Sequence, residues 1–210
     1  MFPSEVLIPY LLATILVILS PGPDNILALS RGLSQGRLAA IASSIGAGGG
    51  IMIHTLAATF GLSLILRDSA SAFWVVKAVG ATYLIWLGIK AIRSRGLISF
   101  MPAERLPLHR VFATGLMSNV LNPKPGLFVV AFLPQFASVS RGSLEVQMLV
   151  YGAIFAVLTA IVFSILGACA ARLACWLEGR PAVVAGLNIG AGLTFLAAGL
   201  SVLTLKAKAS

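Results

Sequence analysis

Two pairs of prolines, each inside a long apolar run, constrain this chain more than any other feature. The first is Pro21 and Pro23 in "EVLIPYLLATILVILSPGPDNILALSRG"; the second is Pro123 and Pro125 in "SNVLNPKPGLFVVAFLPQF". A proline inside a helix removes a backbone donor and clashes with the carbonyl four residues earlier, so a closely spaced pair breaks or kinks the helix. The surrounding runs are roughly 20 residues or longer, enough to cross a ~30 Å hydrocarbon core. In lipid each freed polar group costs several kcal/mol unless protein or cavity water satisfies it. Interrupted spans are therefore expected to face the protein interior.

The rest of the chain fits a membrane. Of its 210 residues, 59% are hydrophobic and only 10% charged, against about a quarter charged in a typical soluble domain. The net charge of +9 does not point to nucleic acid. The basic residues lie at the ends of apolar segments, as the positive-inside rule expects, and no basic run interleaves with aromatics. The start, "MFPSEVLIPY", has no Lys or Arg before the apolar run, so the first span is expected to be retained rather than cleaved as a signal peptide. Cys169 and Cys175 are expected to pack rather than form a disulfide or metal site. Without a His/Cys cluster, no metal and no cofactor is expected.

Six spans are predicted, at about 5–30, 38–66, 69–90, 111–137, 145–171 and 182–205. The connection 91–110 carries Arg93, Arg95, Arg105 and Arg110, with Lys90 just before it, against the single acid Glu104. It is the expected cytoplasmic loop, sharing its side with Arg31, Arg37, Arg172 and Arg180. Arg67, Arg141, Lys206, Lys208 and, just inside a helix, Lys77 would lie opposite. Both termini are then expected outside the cytoplasm, unless the first segment is re-entrant.

The two halves resemble each other. Ser34, Gly36, Leu38 and Gly46 match Ser140, Gly142, Leu144 and Gly152 at a constant offset, and "GATYLIWLG" (80–88) aligns weakly with "AGLTFLAAG" (191–199). The proline pairs fall in spans one and four. Three spans per half means that the second copy enters the membrane from the other side. The predicted fold is an all-α membrane protein: a single domain, 1–210, of six transmembrane helices in a 3+3 inverted repeat with broken helices one and four. Repeat one covers about 5–90 and repeat two about 111–205.

A broken helix exposes N–H groups at one half-helix end, suited to a carboxylate, and carbonyls at the other, suited to an ammonium. Two such breaks in equivalent positions would build one polar site, and an α-amino acid carries both groups. Asp24 and Lys124 are the ionisable residues attached to the breaks. Charges at membrane depth pair or line a pathway. Asp24 is expected to receive the substrate amine or a coupling proton. Lys124 is expected to attract the substrate carboxylate or pair with Asp24. Asn25, Asn119 and Asn122 supply amide hydrogen bonds nearby, and Pro21, Gly22, Pro23 and Pro123 shape the breaks. The plainer readings are that Asp24 stabilises a helix start and that Lys124 snorkels to an interface. His54 is a candidate proton relay, since imidazole titrates near neutral pH, or a hydrogen-bonded structural histidine. Gly46, Gly48, Gly49 and Gly50 are expected to permit close helix packing or to serve a homodimer. Tyr83 and Trp86 are read as packing residues.

The stretches "SPGPDNILALSRGLSQGRLAAIASSIGAGGG", "GATYLIWLGIKAIRS" and "FATGLMSNVLNPKPGLFVVAFLPQF" resemble, in the same order and spacing, the lysine exporter/homoserine-threonine resistance (LysE/RhtB) family of bacterial amino-acid exporters. The likeness runs from about residue 5 to 205. It implies efflux of amino acids or close derivatives across the bacterial inner membrane, driven by the proton motive force. The family's motifs fall on Pro21, Gly22, Pro23 and Asp24, and on Asn122, Pro123 and Lys124; Pro125 stands where small residues are common, which sharpens the second break. The alternatives are efflux of another small solute, such as a metal ion or a homoserine lactone, a membrane-embedded enzyme, or a scaffold that transports nothing. A metal would find few acidic or histidine ligands. For an enzyme, Ser20 near Asp24 is the only nucleophile candidate, and no histidine lies near it in sequence.

Overall fold

The structure, a computed structural model, describes residues 2–20, 22–68, 70–93, 104–170, 172, 176 and 180–204. Pro21, residues 94–103 of the basic connection, Cys175, Lys206 and Lys208 lie outside the described residues. Every regular element among those described is helical. In order they are α1 (Ser4–Leu19), α2 (Pro23–Gln35), α3 (Arg37–Asp68), α4 (Ala70–Arg93), α5 (Leu108–Leu121), α6 (Pro123–Phe132), two 3₁₀ turns (Leu133–Phe136 and Val139–Arg141), α7 (Leu144–Ala168) and α8 (Pro181–Thr204).

Within α3 and α7, Arg37–Gly61 and Leu144–Ala168 are each 25 residues, long and apolar enough to cross a membrane. The pair α1–α2, and the pair of α5 with α6 and its following turn, pass the same test as units bent by 60° and 55°. By length and composition the described residues thus hold two to four spans; α4 and α8 contain the shorter apolar stretches Ala78–Lys90 and Asn188–Ala197. The prolines act differently from a mid-helix kink. Pro23 and Pro123 each occupy the first position of a new helix, where the missing N–H has no partner to lose and the fixed φ suits the helix start.

Five helices, α2, α4, α5, α6 and α7, pack on α3. It packs most extensively on α5 and α7, while α4 pairs with α8. Small residues set the spacing. A Cβ at Gly46 would collide with the Phe112 carbonyl on α5, and one at Gly115 of α5 would collide with the Ser43 carbonyl on α3. The two backbones therefore touch at this crossing, the close approach expected of small residues between membrane helices. Gly49, one turn on, differs: a Cβ there would meet only the flexible Leu116 Cδ1, at 3.2 Å. Replacement of Gly46 by Val is expected to cost about 3 kcal/mol or more through forced separation of α3 and α5. Gly49→Ala is expected to be tolerated. The fraction of monodisperse protein surviving heating in detergent checks both.

Phe2, Tyr10, Phe136 and Tyr151 stack at one end of the bundle, and Tyr10 donates to the Tyr151 carbonyl at 2.5 Å. Gln147, fully buried, ties the loop before α7 by accepting from Ser138 N at 3.1 Å and donating to Ser138 O at 2.9 Å. At the other end the described part of the basic connection is strapped to α2. Arg31 donates to Gln35 Oε1 at 2.9 Å and to the Glu104 carbonyl, and Gln35 Nε2 donates to Leu106 O at 2.8 Å. Sequence places Arg31 among the loop charges; in the fold it is buried in the last turns of α2. Phe2 and residues 104–106 thus sit at opposite ends. Cys169 is exposed and unpaired at the end of α7, not packed as expected.

Candidate functional site

The two helix breaks follow one local grammar. Gly22 precedes Pro23 and then Asp24; Asn122 precedes Pro123 and then Lys124, so each break reads N-cap, proline, charge. In each case the charged residue, second in its helix, reaches across to the other break. The Asp24 carboxylate accepts from Ser118 Oγ at 2.8 Å, Asn119 Nδ2 at 2.8 Å and Asn122 Nδ2 at 3.0 Å, all from the end of α5. In return Lys124 Nζ donates at 2.7 Å to the Ser20 carbonyl, at the end of α1. Both charged residues are buried.

Helix electrostatics explain the exchange. A carboxylate in the first turn of α2 lies at the positive end of that helix, which favours it. Lys124 sits at the positive end of α6, the wrong end for a cation, and the free carbonyl at the end of α1 offsets this. The other exposed ends are also met: Asn25 Nδ2 donates to Ile18 O at 2.7 Å, and Asn122 Oδ1 accepts from Lys124 N at 3.0 Å. Asp24 is thus no N-cap. The cap of α2 is Gly22, and the partners of the carboxylate lie on α5. Nor does Lys124 snorkel outward, and no ion pair joins it to Asp24 among the described residues. Gly22 keeps the ammonium close, because a Cβ there would stand 3.1 Å from Lys124 Nζ.

Between the breaks lies a small chamber of about 10 Å³, lined by Asp24, Asn119, Lys124, Thr159 and apolar residues that include Phe155 and Phe163. That is about the space of one water. Of its lining residues, Asn119 and Thr159 have a buried oxygen, Oδ1 and Oγ1, without a hydrogen-bond partner. Each such atom costs ~1–3 kcal/mol, and unmet polar atoms collected at one place mark a site suited to a polar guest. Asp24 uses three of a carboxylate's roughly four lone-pair positions for these donors, which leaves one for a further donor.

Of the residues named from sequence, the fold brings Asp24, Asn25, Asn119, Asn122 and Lys124 together, with Gly22, Pro23 and Pro123 at the breaks; Pro21 lies outside the described residues. His54 comes beside them, its Nε2 donating to Asn119 O at 3.1 Å. Two residues escaped the sequence reading. Ser118 is one helical residue before Asn119 and carries no mark of its own. Thr159 had a signal: it is a polar side chain on the buried stripe Gly152, Phe155, Thr159, Phe163 of α7, and polar groups facing the interior of a membrane helix are functional candidates. No group of His, Cys, Asp and Glu among the described residues is arranged to hold a metal.

Known proteins are similar to this chain in sequence. The chain is 34% identical over 191 residues to a homoserine/homoserine lactone efflux protein of Salmonella typhimurium, an alignment covering 90% of this chain and 92% of the relative. It is 32% identical to an uncharacterized membrane protein of Vibrio cholerae, covering 97% and 98%, and 28% identical to one of Pseudomonas aeruginosa, covering 93% of each. No solved structure matches it. The model of the LysE type translocators matches residues 15–206, a stretch that contains both breaks and the chamber between them, and on that match the chain belongs to the LysE type translocator family.

Proposed function

We propose that this protein is a secondary exporter of amino acids or close derivatives, working across the bacterial inner membrane and driven by the proton motive force. The observation that carries the reading is the exchange at the breaks: a buried carboxylate and a buried ammonium, each held by the other half of the chain, flank one chamber. A zwitterion offers each its counter-charge. Asp24 would receive the substrate ammonium, or a proton when the substrate is absent, and Lys124 the substrate carboxylate. Competition of proton and ammonium for one carboxylate is the simplest basis for antiport.

On this reading the two bent pairs, α3, α4, α7 and α8 form six spans as a 3+3 inverted repeat. The closed chamber opens to either face by rocking of one repeat against the other. The basic 91–110 connection lies in the cytoplasm with Arg31 and Arg37, and both termini lie in the periplasm. Metal efflux is disfavoured by the ligand set, and an enzymatic role has no nucleophile–base pair near Ser20 among the described residues to support it. Homoserine lactone is a second reading, supported by the relatives' activity; lacking a carboxylate, it would use Asp24 and not Lys124.

Purified protein in proteoliposomes loaded with a panel of labelled amino acids tests the proposal. Efflux of at least one of them is expected to rise about ten-fold when the receiving side is made acidic, and to lose that stimulation when a protonophore is added. Folded protein that moves none of them overturns the amino-acid assignment.

A further inference from the structure

Beside the chamber runs a second, larger space. His54, Ala57, Ala58 and Gly61 line it from α3, and Pro123, Gly126, Leu127 and Val130 from α6, with Asn122 at the break. Both sets follow the spacing i, i+3, i+4, i+7, which places each on one helix face. On α3 that face is Ala, Ala and Gly beyond the histidine, so two helix faces that would otherwise interlock leave a groove of about 440 Å³. The volume is within the ~300–1,000 Å³ of small-molecule sites. The i to i+7 separation, seven residues at 1.5 Å rise, makes it roughly 10 Å long.

The groove abuts the charged site, with two of its lining side chains between them. Asn122 lines it and donates to Asp24 at 3.0 Å. His54 lines it and holds the carbonyl of Asn119, whose amide also donates to Asp24. Gly126 lets the imidazole lie there, since a Cβ would come within 2.8 Å of His54 Cε1. Away from this inner end the walls are apolar, and none of the lining residues is acidic.

We propose that this groove is the side-chain subsite of the exporter, and that it selects solutes with an uncharged side chain or ring over those with a cationic one. The inference rests on the amino-acid reading above and adds the substrate class. A backbone ammonium held at Asp24 would direct the side chain past Asn122 and His54 into the groove. Apolar carbon gains there by leaving water. A lysine or arginine side chain would bring a second cation to walls with no counter-charge, at the cost of desolvation without a partner.

Gly61 gives a clean test, because a Cβ there meets nothing within 4 Å; a larger side chain fills the groove without straining the packing, and helix propensity rises. Export of labelled homoserine, leucine and lysine is measured in proteoliposomes for the natural chain, Gly61→Leu and Ala57→Leu. The natural chain is expected to move leucine and homoserine at least ten-fold faster than lysine. In Gly61→Leu, leucine export is expected to fall about ten-fold while homoserine stays within about two-fold. Ala57→Leu blocks the same groove one turn earlier and carries the test if Gly61→Leu does not fold. An unchanged leucine-to-homoserine ratio in the folded variants, as when a lipid tail occupies the groove, overturns the subsite while leaving the exporter standing. Lysine moving as fast as leucine overturns it too. A natural chain that moves none of the three fails the exporter reading itself.

Discussion

Replacement of Asp24 by Asn is expected to reduce export about 100-fold per folded molecule while the protein still reaches the membrane. The carboxylate receives three donors, Ser118 Oγ, Asn119 Nδ2 and Asn122 Nδ2. An asparagine at the same place keeps one acceptor oxygen and turns an NH₂ toward donors that it cannot accept. It also removes the charge that a substrate ammonium or a coupling proton requires. A charge-assisted hydrogen bond is worth ~1.5–3 kcal/mol, and about 2.7 kcal/mol corresponds to 100-fold in rate. Asp24→Glu separates charge from fit: it keeps the negative group but lengthens it in a chamber of about 10 Å³, so export is expected to fall less than in Asp24→Asn. Initial efflux rates normalised to folded protein decide the matter. Export by Asp24→Asn at the natural rate would reduce Asp24 to a bolt between α2 and α5.

The breaks were legible because proline acts locally. Pro23 and Pro123 dictate a helix start wherever the rest of the fold goes, so both interruptions and the charges beside them stand at their predicted positions. The helical character of every described element follows from the same local information. What the sequence withheld is partnership. Sequence names Asn119 and Asn122 as hydrogen-bonding neighbours of the breaks, but not that both, with Ser118, donate to Asp24, because the crossing of α2 with α5 creates that contact. Arg31 shows the limit from the other side. By composition it is one more basic residue near a loop, yet it is buried against Gln35 and the Glu104 carbonyl, a position set by where residues 104–106 return to α2. Lys124 was more telling than its neighbours for a physical reason. A cation in the first turn of a buried helix violates the local electrostatic preference, and such violations concentrate where function requires them.

The second large effect concerns Asp24 and Lys124 together. Although no ion pair joins them among the described residues, both line one chamber, where the low dielectric lets each charge offset the other's burial. Removing one member of a buried charge pair leaves the other uncompensated, at ~3–5 kcal/mol. Asp24→Asn and Lys124→Met are each expected to destabilise by that order. The double variant retains no buried charge at the breaks and is expected to fall short of the sum by about 2 kcal/mol. Melting of the four proteins in one detergent closes the cycle. Additive losses would mean that each residue answers only to its own hydrogen bonds, Asp24 to α5 and Lys124 to Ser20 O. A shortfall would mean that the two halves of the chain neutralise each other in the closed state. A zwitterion would then enter by taking over a compensation the protein otherwise provides for itself. Under that arrangement amino-acid binding is expected to stabilise the natural chain less than either single variant stripped of its own counter-charge is destabilised, because the guest replaces one set of favourable contacts with another.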